Sequence, residues 1–139
     1  MSVKRSFRIE ANLDVLRRVA AAAEDLGQQE DWPPGLVHQV DLAIEELGNN
    51  IVKHGFDGGP GEIEITLTSK ADAITIEIAD DGRPFNPLKD APQPDLEAAL
   101  EDRPVGGLGI HLVLTMMDEM YYRREQHRNH LTLIKRRTA

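Results

Sequence analysis

Two stretches decide the fold: Glu62-Ile63-Glu64-Ile65-Thr66-Leu67-Thr68 and Ala73-Ile74-Thr75-Ile76-Glu77-Ile78-Ala79-Asp80-Asp81-Gly82. In the first, Ile63, Ile65 and Leu67 alternate with polar residues, and in the second Ile74, Ile76 and Ile78 do the same. A period of two puts each apolar set on one face of an extended strand. Only Ser69 to Asp72 separates the two, so the chain doubles back as an antiparallel hairpin. Its apolar face needs a second layer to cover it.

The flanks supply that layer. Upstream, Asn12 is a good helix N-cap, and Leu13, Leu16, Val19, Ala20 and Ala23 recur at three-to-four spacing in a helix ending near Gly27. After the polar Gln28 to Asp31, Trp32-Pro33-Pro34 starts a second helix, with proline in the first turn where a missing N–H costs nothing. That helix should run to about His54, with Gly55 as its left-handed terminal residue. Ahead of both, Phe7 and Ile9 alternate with Ser6, Arg8 and Glu10 as a short edge strand. Downstream, residues 83–105 hold five of the eight prolines and read as a long loop. Gly106-Gly107-Leu108-Gly109 opens a helix through about Asp118, and Tyr121 to Arg124 and Leu131 to Lys135 close the chain as a strand pair. The expected fold is α+β, a two-layer sandwich with helices on one face of a mainly antiparallel sheet. Its other face is then solvated or covered by a partner.

At 139 residues the chain is expected to be one domain, residues 1–139, large enough to bury a core without a disulfide or structural metal. Cysteine is absent, which excludes thiolate catalysis and cysteine-bound metal sites and fits a reducing compartment. Lys and Arg number 16 against 24 Asp and Glu, a net charge of −8 that repels phosphate backbones and anionic lipid. No apolar run approaches the roughly 20 residues that span a bilayer. The first residues carry charge with no apolar core behind them. The expectation is a cytoplasmic protein that binds neither nucleic acid nor membrane.

Three clusters carry chemistry. At about 100° per residue, Leu36, Val40, Ile44, Leu47 and Ile51 share one face of the second helix, while Glu46, Asn49, Asn50 and Lys53 share another. Two consecutive asparagines in mid-helix give up helix propensity, which argues against a merely solvated face. A glutamate and an asparagine one turn apart suit a proton acceptor beside an amide oxygen that ligates Mg²⁺. His54 falls with the apolar face and reads as a packed histidine. Asp80 shares the parity of Ile74, Ile76 and Ile78, so its carboxylate points inward while Asp81 points out. Either Asp80 caps the turn Asp81-Gly82-Arg83-Pro84, or it accepts a hydrogen bond from a ligand amine with Gly82 permitting close approach. The glycines 106, 107 and 109 at a helix start suit either a hinge or tight packing site or an anion such as phosphate, without the spacing of a Walker loop.

The order of these clusters resembles the GHKL superfamily of ATPases and, within it, the bacterial anti-sigma-factor serine/threonine kinases of partner-switching systems. Glu46-Leu47-Gly48-Asn49-Asn50-Ile51-Val52-Lys53-His54-Gly55 is similar to the family's N box. Asp80-Asp81-Gly82-Arg83-Pro84-Phe85 is similar to its first glycine box, and Gly106-Gly107-Leu108-Gly109 to its second. The resemblance covers nearly the whole chain and implies a Bergerat-type ATP-binding fold with an ATP lid at about 83–105. It implies Glu46 as catalytic base, Asn50 as the Mg²⁺ ligand, Asp80 with Gly82 reading adenine, and Lys53 with Gly106, Gly107 and Gly109 at the phosphates. Two positions depart from the pattern: Pro84 stands for a glycine, and Asn129 stands where many members carry a threonine near adenine, which leaves that contact open. Arg103 reads as a solvated charge.

Only 45 residues precede Glu46, and the sole histidine among them, His38, lies in the same helix, so no phosphoacceptor helix of an intact histidine kinase is expected. The resemblance therefore implies an ATP- and Mg²⁺-dependent serine/threonine kinase and anti-sigma regulator. Its substrate would be a small STAS-fold anti-anti-sigma protein, with a sigma factor and a second copy of the chain as further candidate partners. The rival reading is a catalytically silent ATP-binding module that sequesters a partner protein.

Overall fold

A computed structural model describes residues 2–57, 59–90 and 107–137. Strand β1 (Val3–Glu10) leads into helix α1 (Leu13–Gln29) and helix α2 (Pro34–Asn50), which continues as a π-helical segment, Ile51–Gly55. The hairpin β2 (Glu62–Ser69) and β3 (Ala73–Asp80) follows, then a one-turn helix α3 (Pro87–Asp90), helix α4 (Gly107–Met116), and the hairpin β4 (Glu119–Glu125) and β5 (Arg128–Arg136). The five strands form one antiparallel sheet in the order β1-β2-β3-β5-β4, so the central hairpin is flanked by both chain-terminal strands.

The expected hairpin of β2 and β3 forms, with Ile65 opposite Ile78 and Leu67 opposite Ile76, and all four are buried. Leu131 and Leu133 of β5 extend the apolar face opposite Ile78 and Ile76. Leu16 and Val19 of α1, Val40, Ile44 and Leu47 of α2, and Ile110 and Val113 of α4 belong to the same core. Each such side chain removed from water contributes about 1.5–3 kcal/mol, so this layer holds the helices to the sheet. The opposite face is polar: Arg8 pairs with Glu62 and Glu64 at 3.3 and 3.1 Å, and Ser6 Oγ meets Thr66 Oγ1 at 3.1 Å.

Three local features differ from the sequence reading. Helix α1 passes through Gly27 to Gln29, and Gly27 serves packing: a Cβ there would lie 2.8 Å from the Trp32 ring. That ring is anchored in turn by its Nε1–H donating to Ser69 Oγ at 3.0 Å. Helix α2 does not end on a left-handed Gly55. It widens into the π-helical segment, and the left-handed residue comes later, at Asp57 with φ 51°. A π turn inserts one extra residue per turn, so from Ile51 onward a count at 100° per residue loses phase. The third is the closing strand pair, which extends beyond residues 121–124 and 131–135 and leaves a turn in which Gln126 and His127 take φ 53° and 64°.

No helix among the described residues is long and apolar enough to cross a membrane. The lid expected over 83–105 falls mostly on residues 91–106, which lie outside the described residues, as do Arg103 and Gly106.

Candidate active site

Strand β3 ends on Asp80, whose inward parity buries it to 2 % exposure while Asp81 stays exposed. Asp80 Oδ1 accepts from the Gly82 backbone N–H at 2.9 Å and from Asn129 Nδ2 at 3.0 Å. The turn-capping role and inward burial are thus both realised. Burial pushes the Asp80 carboxyl above its ordinary value; the Asn129 and Gly82 hydrogen bonds pull against that, Asp81 adds to it, and Arg124 opposes it.

Gly82 is obligatory for packing, because a Cβ would sit 2.7 Å from the Gly55 carbonyl oxygen. The turn after β3 is stapled to the π-helical segment at this point. Arg83 N donates to Gly55 O at 3.0 Å, and the Arg83 guanidinium donates to His54 O and pairs with Asp57 at 3.2 Å. Phe85 stacks on His54 with ring centroids 5.2 Å apart. From the other side, Arg124 donates to Gly82 O at 2.8 Å. The packed histidine of the sequence reading thus stacks against the segment that follows β3.

The second cluster sits at the C-terminal end of α2. Burial and the neighbouring Glu45 push the Glu46 carboxyl up, and Lys53 opposes them. A Cβ on Gly109 would overlap the Glu46 carboxylate, so the first turn of α4 approaches this acid as only a glycine allows. Asn50 is buried, and its Nδ2 donates to Glu46 O at 3.0 Å, which leaves the amide oxygen for another partner. Asn49 Oδ1 is enclosed and has no hydrogen-bond partner among the described residues. Lys53 is exposed on the π-helical segment. A cleft of about 200 Å³ lined by Leu13, Leu16, Arg17, Glu45, Glu46 and Asn49 opens beside the acid.

The residues singled out in the sequence therefore fall into two groups on one scaffold. Asp80 and Gly82 line one end with Gly55, and Glu46, Asn50 and Gly109 meet at the other, with Gly107 starting α4. Among the described residues no three His, Cys, Asp or Glu side chains cluster to hold a metal. One amide oxygen, on Asn50, suits a hard cation that takes its remaining oxygens from a phosphate and water. Sequence reasoning left Asn129 open, read Gly55 as a helix end, and gave no role to Tyr122 and Arg124. The signal for Asn129 was parity: Asp80 pairs with Asn129 across β3 and β5, two steps beyond Ile78 and Leu131.

The family model for the histidine kinase-like ATPase domain matches residues 9–135. The chain is similar to the serine/threonine-protein kinase BtrW of Bordetella bronchiseptica, 34% identical over 111 residues that cover 79% of this chain and 78% of that protein. It is also similar to the serine-protein kinase RsbW of Bacillus mycoides, 38% identical over 82 residues, 57% of this chain and 51% of that protein. With RsbW of Bacillus cereus the identity is 36% over 87 residues, 60% of this chain and 54% of the other. The match thus spans about half the length of these RsbW proteins.

Proposed function

The chain belongs to the histidine kinase-like ATPase domain family, and from that premise we propose that it is an ATP-dependent serine/threonine protein kinase acting as an anti-sigma regulator. The observation that carries this reading is the approach of Gly109 to the Glu46 carboxylate, which sets a half-buried acid against the start of a helix. A helix start concentrates backbone N–H groups and partial positive charge, which favours phosphate. An acid at that place, with burial holding its proton affinity up, suits a base for a hydroxyl attacking the terminal phosphoryl.

In this reading Asp80 accepts a hydrogen bond from the adenine amino group, with Gly82 in the same wall. Gly107 and Gly109, together with Gly106 and Lys53, face the phosphates. Glu46 takes the proton of a serine or threonine hydroxyl as its oxygen bonds to the terminal phosphorus and the bond to the bridging oxygen of ADP breaks. Mg²⁺, held by the Asn50 oxygen, would neutralise charge on the phosphates. The names of the similar proteins support a protein substrate. The resemblance of the three boxes supports a small STAS-fold anti-anti-sigma protein as that substrate, a sigma factor and a second copy as further partners, and a cytoplasmic setting.

The test is incubation with labelled ATP, Mg²⁺ and a candidate antagonist, followed by phosphoserine and phosphothreonine analysis. Label on the antagonist that disappears with Glu46→Gln is expected. ATP binding with no transfer to any antagonist, and no difference between Glu46→Gln and the unaltered protein in partner binding, would move the assignment to a silent sequestering module.

A further inference from the structure

Asn129 is 3 % exposed and uses its whole amide. Nδ2 donates to Asp80 Oδ1 at 3.0 Å and to the Arg83 carbonyl at 2.8 Å. Oδ1 accepts from the Phe85 backbone N–H at 3.3 Å and from the Tyr122 hydroxyl. The orientation of this amide is not interchangeable, because the Phe85 N–H can only donate and the Arg83 carbonyl can only accept. One side chain on β5 thus holds the terminal carboxylate of β3 and the first residues of the segment that leaves it.

The carboxylate is held unevenly. Both of its hydrogen bonds, from Gly82 and Asn129, fall on Oδ1, and among the described residues nothing donates to Oδ2. Pinning one oxygen with two donors fixes the plane of the group and leaves the other as an acceptor. Such an acceptor discriminates. It pairs with an exocyclic amine, and it repels an exocyclic oxygen unless it first takes up a proton.

We propose that Asn129 is the positioning residue of the base pocket, holding Asp80 by Oδ1 so that Oδ2 selects a purine bearing an exocyclic amine over one bearing an exocyclic oxygen. The inference rests on the assignment of Asp80 to the nucleobase. A side chain that only stabilised the sheet would affect all nucleotides alike; one that aims Oδ2 affects the choice between bases. Its two Nδ2 bonds also make the first residues of the connecting segment part of the selection, since the Arg83 carbonyl and the Asp80 carboxylate share one donor group.

ATP and ITP differ at this position of the base and share the triphosphate, so their affinity ratio isolates the contact. By calorimetry, Asn129→Ala should weaken ATP roughly 10- to 100-fold, the weight of a charge-assisted hydrogen bond, and ITP far less. In an Asp80→Ala background the same substitution should leave the ratio alone. Asn129→Asp keeps an oxygen facing Phe85 N–H and the Tyr122 hydroxyl, and so guards against simple misfolding. It sets a second carboxyl against Asp80, and two carboxyls in contact share one proton. The groups around that pair are Asp81 and the Gly82 N–H from the turn, Arg83 beyond it, Arg124 from β4 and His54 from the π-helical segment. The ATP-to-ITP ratio of Asn129→Asp should therefore recover as pH falls and the shared proton takes the place of the Nδ2–H. Should Asp80→Ala abolish the ATP preference while Asn129→Ala and Asn129→Asp preserve it at every pH, the positioning role is overturned and the nucleobase assignment stands. Unaltered ATP affinity in Asp80→Ala overturns both.

Discussion

The two ends of the site are built on opposite plans. Around Asp80 every donor and acceptor of Asn129 is used, the turn is tied to the π-helical segment by Arg83, and a ring stack closes the side. Around Glu46 the enclosed Asn49 Oδ1 has no partner among the described residues, Lys53 stands exposed, and the acid is held by burial and glycine contact. The first end is a finished mould, and its hydrogen bonds leave one carboxylate oxygen for a ligand. The second presents groups whose partners are to come, as suits a place where charge moves during a reaction. On the proposed assignment, recognition is preorganised by side-chain hydrogen bonds across the sheet, and chemistry by the meeting of two helix ends.

That contrast makes distinct failures expected at the two ends. The largest effect belongs to Glu46→Gln, which keeps size and hydrogen bonding but removes the base. Transfer should slow by roughly 10²–10⁴-fold, with Mg-ATP affinity nearly unchanged in calorimetry. Equal losses in binding and rate would show that the two ends are not separable.

Next comes Asp80→Ala, expected to lower ATP and ADP affinity by roughly 10- to 100-fold. It should also cost about 1–3 kcal/mol of stability in denaturant unfolding, because Asn129 Nδ2 and the Gly82 N–H lose their shared acceptor. Gly109→Ala should act in the opposite sense to Asp80→Ala. A Cβ against the Glu46 carboxylate displaces the acid, so the rate falls, by up to about 10²-fold for a shift near 1 Å, while ADP affinity changes less. If Gly109→Ala spared the rate and destroyed binding, the glycine would belong to recognition and the proposed division would fail.

The pH dependence is smaller in effect and sharper in meaning. Burial first, and Glu45 second, raise the Glu46 carboxyl, and a general base works only when deprotonated. Activity should therefore fall with decreasing pH at a higher pH than an ordinary glutamate would give, and Glu46→Gln should lack that limb. Asp80 is also raised, with burial the main cause. A raised carboxyl binds its proton more tightly in the folded than in the unfolded state. Its favourable contribution is present below the unfolded value and lost as pH rises through the folded one. Asp80→Asn should then melt no lower than the unaltered protein at neutral pH while binding ATP worse, and a clear fall in melting temperature would count against the burial argument.

How much of this was legible in the sequence follows the range of each interaction. Isoleucine alternation between Glu62 and Asp80 is local, and it predicted the hairpin and the inward aim of Asp80. Asn12 as N-cap is local too, and its side chain accepts from Asp14 N at 2.8 Å. The polar stripe of α2 was readable as far as Asn50. Beyond it the π turn changes the angular count, and nothing in Ile51 to Gly55 announces that turn. Gly55 looked like a helix stop and is a contact surface for Gly82; Gly109, read as part of a phosphate turn or a tight packing site, packs on Glu46. Asn129 lies 49 residues from Asp80, and their contact depends on the register of two hairpins. Contacts of that span are written in the assembled sheet.

The turn at Gln126 and His127 holds a reserve that the binding site does not use. Both residues sit in the left-handed region without being glycine, at a cost on the order of 1 kcal/mol each. The pair closes the hairpin in which Tyr122 of β4 donates to Asn129 of β5, and sliding β4 along β5 by one residue would carry that hydroxyl away. Asn and Gly at these two positions should therefore tighten the β4–β5 alignment that brings Tyr122 to Asn129, and gain robustness with no proposed catalytic side chain touched.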